Sequence, residues 1–105
     1  MLRFATVLLL VTLAGPAAFA VEVGDAGRGL AYARANCSEC HAVEPREMIS
    51  PFPDVPPFRE IANTPGISEL ALISFFQTPH PTMPDFIVPS ADIRDLIAYF
   101  ATLRD

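Results

Sequence analysis

Two cysteines and a histidine stand together in the segment Cys37-Ser38-Glu39-Cys40-His41. Thiols at this C-x-x-C spacing can add across the two vinyl groups of one haem, and the histidine that follows is then held beneath the porphyrin, where it can ligate iron. The segment therefore predicts covalent attachment of one haem c at Cys37 and Cys40, with His41 as the proximal axial ligand.

Two other chemistries use cysteines at this spacing. A thioredoxin-like redox pair follows a strand in a βαβ unit, whereas the residues before Cys37 have a helical pattern. A zinc site needs further ligands, and His41 and His80 are the only histidines in the chain. These two do not form the paired-histidine half of a zinc finger. The sequence therefore favours haem attachment over both alternatives.

A second candidate ligand lies in the proline-framed segment 78–86. Met83 carries a soft, neutral thioether, which favours ferrous iron and raises the haem potential. Pro81 and Pro84 restrict the backbone on either side of it. We predict Met83 as the distal axial ligand, with His80, Met48 or a vacant sixth position as the alternatives.

Helices are the predicted elements around these residues, because no stretch of the chain alternates polar and apolar residues as a strand does. Asp25 is the expected cap of a first helix that runs into the haem motif. Gly29 lies inside that helix, where glycine costs about 1 kcal/mol relative to alanine. It therefore marks either the close approach of another helix or a frayed helix end.

The remaining helices follow a proline-rich loop between Ala42 and Pro57. Pro57 is expected as the first residue of a short helix, and Ser68 as the cap of a helix over 69–77. Ser90 is expected to cap the C-terminal helix. The apolar face of that last helix consists of Ile93, Leu96, Ile97, Phe100 and Leu103.

The first 20 residues have the pattern of a secretory signal peptide. Arg3 precedes the uncharged run Phe4–Ala14, and Ala18-x-Ala20 fits the small pockets of a signal peptidase. An uncleaved membrane anchor is the alternative, but a spanning helix needs about 20 apolar residues and this run breaks at Gly15 and Pro16. We therefore predict a cleaved leader over 1–20 and a single domain over 21–105. The expected location is the periplasm of a Gram-negative bacterium, without stable membrane insertion after cleavage.

The charge of the chain excludes one class of partner. The 105 residues have a formal net charge of −5 and contain no lysine, so no basic surface is available to track the phosphates of a nucleic acid. Acidic partners would be repelled, whereas neutral or basic proteins would be favoured.

Taken together, these motifs resemble the small class I bacterial cytochromes c. The resemblance spans nearly the whole of 21–105 and rests on Gly29, the Cys37–His41 motif, the proline-rich segment 50–58, Met83-Pro84 and the terminal helix over 92–100. It implies an all-α fold with Pro-rich loops, in which the N- and C-terminal helices cross around one covalently bound haem.

The resemblance also implies particular contacts. Gly29 is expected to pack beneath Leu96, Tyr99 or Phe100 of the last helix. The second ring nitrogen of the proximal histidine is expected to donate to a carbonyl of the proline loop, and the candidates are Pro51 and Pro53.

Side chains around the cofactor follow from the same expectation. Arg46 and Arg59 can meet haem propionates, or they can remain solvated surface charges. In so small a domain the haem would form much of the core, so the expected pocket walls are apolar. These walls are Phe52, Phe58, Ile61, Leu72, Phe75, Phe76, Phe86 and Ile97.

The expected function is electron transfer rather than catalysis, with a haem that alternates between Fe(II) and Fe(III). The expected partners are periplasmic redox proteins, with a dehydrogenase as donor and an oxidase or another cytochrome as acceptor. One alternative is a haem subunit of a periplasmic dehydrogenase complex. Another is a ligand-binding or peroxidase-like haem protein with an open sixth site, in which His80 would be the distal acid-base group.

Overall fold

A computed structural model describes residues 11, 13–15, 23–78, 83 and 87–105 of the chain. Most of the predicted signal peptide lies outside these residues, as do His80 and Phe86. The described part contains four helices and no strand: α1 (Ala26–Asn36), α2 (Phe58–Ala62), α3 (Glu69–Gln77) and α4 (Ser90–Leu103). The predicted all-α class is therefore confirmed. None of the helices in this described part is long and apolar enough to cross a membrane.

Short side chains begin α1 and α3 as predicted. The Asp25 carboxylate accepts a hydrogen bond of 2.8 Å from the Arg28 amide, and the Ser68 hydroxyl accepts one of 3.1 Å from the Ala71 amide. Each side chain therefore satisfies one of the amides that the first turn of a helix leaves without an intrahelical partner.

The starts of α2 and α4 were predicted wrongly by one residue. Pro57 and Pro89 precede these helices in extended conformations, and their carbonyls accept the first helical hydrogen bonds, from Ile61 and Ile93. Each proline therefore occupies the cap position itself. Ser90 is the first residue of α4, and no side chain caps this helix.

The helices α1 and α4 cross at Gly29. A Cβ atom added to Gly29 would lie 2.1 Å from the carbonyl oxygen of Asp95 and 2.9 Å from Cβ of Tyr99. The close-approach interpretation of Gly29 is confirmed, and Tyr99 is one of the three expected partners. The nearest atoms nevertheless belong to the backbone of Asp95, which was not expected. Gly24 makes a second such approach, because its added Cβ would lie 2.0 Å from the carbonyl oxygen of Arg94.

A polar cluster borders this crossing. The buried carboxylate of Asp95 accepts hydrogen bonds of 2.8 Å from the Asp25 amide and 3.1 Å from Nε of Arg28. The Asp25 amide first, and the Arg28 guanidinium second, hold the pKa of the Asp95 carboxyl below its usual value. The start of α1 is therefore attached to the middle of α4 by backbone and side-chain donors together.

The hydrophobic core lies along the inner face of α4. Ala33, Leu96 and Phe100 are almost completely buried in one cluster. Phe58 of α2 stacks on Phe100 at 4.7 Å between ring centroids, and Phe76 of α3 lies 6.2 Å from the same ring. The C-terminal helix therefore contacts all three of the others, and its Phe100 joins α2 to α3.

Candidate haem-binding site

The Cys37–His41 motif forms the tight turn in which α1 ends. The Cys37 amide still bonds to the Ala33 carbonyl at 2.8 Å, while the Cys37 carbonyl accepts from the amides of Cys40, at 3.2 Å, and His41, at 2.9 Å. This turn holds the two thiols and the imidazole on one short stretch of backbone. Both cysteines are unpaired and partly buried.

The protonation of Cys37 bears on the alternative chemistries. Burial raises the pKa of the Cys37 thiol to about 11, so the group stays protonated at neutral pH. Redox-active cysteines of the thioredoxin type need a lowered pKa, and their motif follows a strand rather than a helix such as α1. Within the described ranges no three His, Cys, Asp or Glu side chains come together as a metal-binding group. The geometry therefore gives no support to either rival site.

The proline loop contacts the Nδ1 side of the His41 ring. Its Nδ1 lies 2.7 Å from the carbonyl oxygen of Pro56. Because a carbonyl can only accept, Nδ1 carries the proton, and Nε2 keeps the lone pair that a metal requires. The ring also meets Phe58 edge-on, at 5.3 Å between centroids. Nδ1 of His41 is therefore engaged in a hydrogen bond, and Nε2 is available to ligate a metal.

The carbonyl belongs to Pro56, so the expectation of Pro51 or Pro53 was wrong. Two hydrogen bonds made by the backbone of Ala42 explain the difference. The Phe58 amide donates to the Ala42 carbonyl at 2.9 Å, which brings the end of the loop back beside the motif. The buried hydroxyl of Ser50 accepts from the Ala42 amide at 2.9 Å, and Pro51 and Pro53 then lie on the exposed outer part of the loop.

Two further residues support His41, and sequence reasoning missed both. Ser50 bonds to Ala42, the neighbour of His41, and the buried hydroxyl of Tyr99 donates to the carbonyl of Val43. Neither contact has a local sequence signal, because Ser50 lies 8 positions from Ala42 and Tyr99 lies 56 positions from Val43. Together they attach the segment after His41 to the loop on one side and to α4 on the other.

The candidates for the distal position lie in different surroundings. Met83 is partly buried, whereas Met48 is 57% exposed on the proline loop. His80 and the residues next to Met83 lie outside the described part of the chain. Partial burial is what a thioether needs if it is to meet a cofactor inside the fold.

Several expected pocket walls meet the aromatic core. Phe58 and Leu72 are buried, and Ile61, Phe76 and Ile97 pack against them while remaining partly exposed. Phe52 and Phe75 are about half exposed. Because the donor set of one imidazole and two free thiols stands beside this apolar cluster, the residues present fit a haem.

The two candidate arginines differ in their partners. Arg59 forms an ion pair with Asp105 and donates to the Pro45 carbonyl at 3.3 Å. Arg46 is exposed on the surface of the loop. Arg59 is therefore already engaged with the C-terminal residue, and a role toward a propionate would require it to exchange partners.

With this fold and site, the chain belongs to the c-type cytochromes. Over 80 residues it is 36% identical to a protein named Cytochrome c-552 from Bradyrhizobium diazoefficiens, and the matched region covers 76% of each chain. No protein-family model matches the chain, and no solved structure matches it either. As a c-type cytochrome, the chain is an electron-transfer protein. Its cofactor is haem c and its partners are redox proteins.

Proposed function

We propose that this chain is a periplasmic electron carrier with a single haem bound covalently through Cys37 and Cys40. His41 is the proximal axial ligand and Met83 the distal one. The observation that carries the proposal is the state of His41, whose Nδ1 is committed to the Pro56 carbonyl at 2.7 Å. That hydrogen bond leaves Nε2 available to ligate iron, within the same turn as two free thiols.

When bound, the haem iron supplies one-electron chemistry between the ferrous and ferric states. The protein residues set the conditions for it. The Pro56 carbonyl orients the His41 ring and increases its basicity. The Phe58 ring packs against His41 and restricts its orientation from a second direction. The neutral thioether of Met83 favours the reduced state, which suits a carrier of relatively high potential.

The proposed location rests on the N-terminal pattern. Arg3, the apolar run Phe4–Ala14 and the Ala18-x-Ala20 end support export, with cleavage after Ala20. Attachment of haem through two thioethers is also compatible with export to an oxidising compartment, where the thiols are otherwise exposed to oxidation. In the periplasm the carrier would accept electrons from a dehydrogenase and pass them to an oxidase or another cytochrome.

Absorption spectra of the purified holoprotein, recorded oxidised and then reduced with dithionite, test the axial ligands. The ferric protein should show the weak far-red band of sulfur-to-iron charge transfer. Met83→Ala should abolish this band, whereas Met48→Ala should retain it as the matched control. A band that persists in Met83→Ala contradicts the proposed distal ligand, and a protein without the band from the start has an open or nitrogen-ligated sixth site.

A second measurement tests the covalent attachment. On a denaturing gel the wild-type protein should retain haem that is detected by its peroxidase activity, and Cys37→Ser/Cys40→Ser should lose it. Haem that is lost from the wild-type protein under denaturing conditions would overturn attachment through the two cysteines. N-terminal sequencing of the periplasmic fraction checks the leader, and a mature protein that begins at Val21 is the expected result.

A further inference from the structure

Three apolar side chains of the proline loop are exposed within a short stretch of sequence, 48–52. Ile49 is 86% exposed, Met48 57% and Phe52 52%. Ile49 and Met48 border an open depression of about 380 Å³. Exposed apolar groups that lie next to each other in this way are typical of surfaces that contact another molecule.

Carboxylates lie beside these apolar groups. Asp54 and Glu60 border the same depression, and Glu47 precedes Met48 in the chain. We call the three apolar residues and these three acidic residues the proline-loop face. Within the described part of the chain, none of the three carboxylates forms an ion pair. Arg46 and Arg59 stand next to Glu47 and Glu60 in the sequence, and Arg59 is paired with Asp105. The face therefore carries a negative border around an apolar centre.

This face lies on the Nδ1 side of His41, away from the nitrogen that would ligate iron. Pro56 lines the depression and also accepts the hydrogen bond from Nδ1 of His41. The two nitrogens of an imidazole point to opposite sides of the ring, so a metal at Nε2 lies across the ring from Pro56. The outer side of the loop is therefore behind the proximal histidine, one hydrogen bond away from an iron ligand.

We propose that the proline-loop face is the docking surface for a redox partner, and that the partner presents arginine or lysine side chains around an apolar contact. This inference rests on the proposed function. An apolar centre with a polar border is the usual arrangement of a protein interface, and electron-transfer complexes use small contacts. The unpaired carboxylates select a basic partner and disfavour a second copy of this chain, whose face has the same sign.

The charged border accelerates the encounter, and the apolar centre holds the complex while one electron passes from the reduced protein to the oxidised one. Attraction of this kind weakens as salt is added, because exposed charges are screened over about 10 Å at 0.1 M ionic strength. Electron transfer to a cationic acceptor should therefore depend on Glu47, Asp54 and Glu60, and on the ionic strength.

Stopped-flow oxidation of the ferrous holoprotein tests this dependence with two one-electron oxidants of opposite charge. Tris(2,2′-bipyridine)cobalt(III) is a trication with apolar ligands, and tris(oxalato)cobaltate(III) is a trianion. Each complex takes one electron, which reduces its cobalt(III) to cobalt(II).

The double variant Glu47→Gln/Asp54→Asn should slow the reaction with the cation about threefold to tenfold at low salt. The matched variant Glu69→Gln/Asp92→Asn, which removes two carboxylates from α3 and α4, should slow it less. Equal effects of the two variants would show that only net charge matters and would overturn the docking surface.

The apolar centre is tested by Ile49→Asn, with Leu70→Asn as the control. Both side chains are strongly exposed, at 86% and 75%, so neither substitution threatens the fold. Ile49→Asn should slow oxidation by the bipyridine complex, while its absorption spectrum and reduction potential stay those of the wild type. A changed spectrum or potential would instead mean that Ile49 contacts the haem, and the face would then not be free for a partner.

The location can be mapped directly with a protein probe. A lysine-rich mitochondrial cytochrome c, added to the 15N-labelled ferrous protein, should shift the amide signals of Met48, Ile49 and Asp54 in NMR spectra at low salt. Shifts confined to other surfaces, or self-association of the protein alone, would contradict the proposal. If the purified chain holds no haem, the proposed function has failed; if haem is bound and these amides do not shift, the docking surface alone has failed.

Discussion

The crossing of α1 and α4 and the proline loop differ in how their order is achieved. At the crossing, backbone contacts backbone, and the glycines at 24 and 29 leave no room for an added methyl group. In the loop, prolines and the hydrogen bonds of Ala42 to Ser50 and Phe58 fix the course of the chain, while apolar side chains remain in solvent. At the crossing, α1 and α4 thus leave no surface free for another contact. The inner side of the loop contacts His41, whereas its outer side is exposed to solvent.

Gly29→Ala should have the largest effect, because it breaks the crossing. The new methyl group would meet the Asp95 carbonyl and Cβ of Tyr99, atoms that cannot move without shifting α4. We expect the free energy of unfolding to fall by about 3 kcal/mol, the upper end of the usual cost of overpacking. Urea denaturation of the holoprotein, followed by circular dichroism, measures the change.

Gly27→Ala is the control on the same helix. Its added Cβ would meet only the carboxylate oxygen of Asp25 that caps α1, at 3.2 Å, so this oxygen would have to shift by only a few tenths of an ångström. The expected change in stability is within about 1 kcal/mol, since alanine is also the better helix former. Equal losses in the two variants would mean that the helices slide apart easily and that Gly29 does not set their distance.

Asp95→Asn should have the second-largest effect, at the polar border of the same crossing. The pKa of Asp95 is lowered in the folded state, so its charged form adds stability above the unfolded-state pKa of about 3.9. This contribution is lost as the pH falls through the lower folded-state value. The variant should therefore be less stable at neutral pH, and its stability should depend less on pH in the acid range.

Thermal unfolding of both proteins between neutral and acidic pH measures this difference. Asp54→Asn, at an exposed carboxylate on the loop, controls for the removal of one negative charge. If Asp95→Asn and the wild type lose stability in parallel on acidification, the Asp25 amide and Arg28 do not stabilise the charged carboxylate as described.

Tyr99→Phe tests the link between the two regions. Its hydroxyl donates to the Val43 carbonyl, so the variant leaves a buried carbonyl without this partner. The expected cost is about 1–2 kcal/mol. Thr102→Ala removes another hydroxyl from α4, but one that is exposed and bonds only within its helix, to the Tyr99 carbonyl. A loss as large in Thr102→Ala would assign the effect to α4 itself rather than to its contact with the segment after His41.

The two regions also differ in how far the sequence could predict them. Caps such as Asp25 and Ser68 act over three residues, so their types and spacing are sufficient to predict them. The close approach at Gly29 followed from the family resemblance, although the resemblance did not reveal that the contact is to the backbone of Asp95.

In the loop, local rules fail. Prolines restrict φ but do not determine where a chain turns back, so Pro51 and Pro53 were wrongly preferred to Pro56. The return is set by the bonds of Ala42 to Ser50 and to Phe58, which no capping or turn pattern in the sequence predicts. The C-x-x-C-H motif predicts the chemistry of the site, but the elements that hold His41 are tertiary contacts with no local pattern.

Pro53→Ala should have the smallest effect and tests whether the loop is as ordered as the crossing. Pro53 follows Phe52 in a turn closed by the Val55 amide and the Phe52 carbonyl at 3.1 Å. Pro65 has the equivalent place in the turn between α2 and α3, which a hydrogen bond from the Ile67 amide to the Thr64 carbonyl closes at the same distance.

Because proline restricts the unfolded chain, replacing either Pro53 or Pro65 by alanine should lower the free energy of unfolding by about 0.4–1 kcal/mol. Equal losses in urea denaturation would show that both turns are fixed in the folded state. A loss at Pro65 alone would mean that the loop retains freedom after folding, and a partner docked on the proline-loop face would then have to order it.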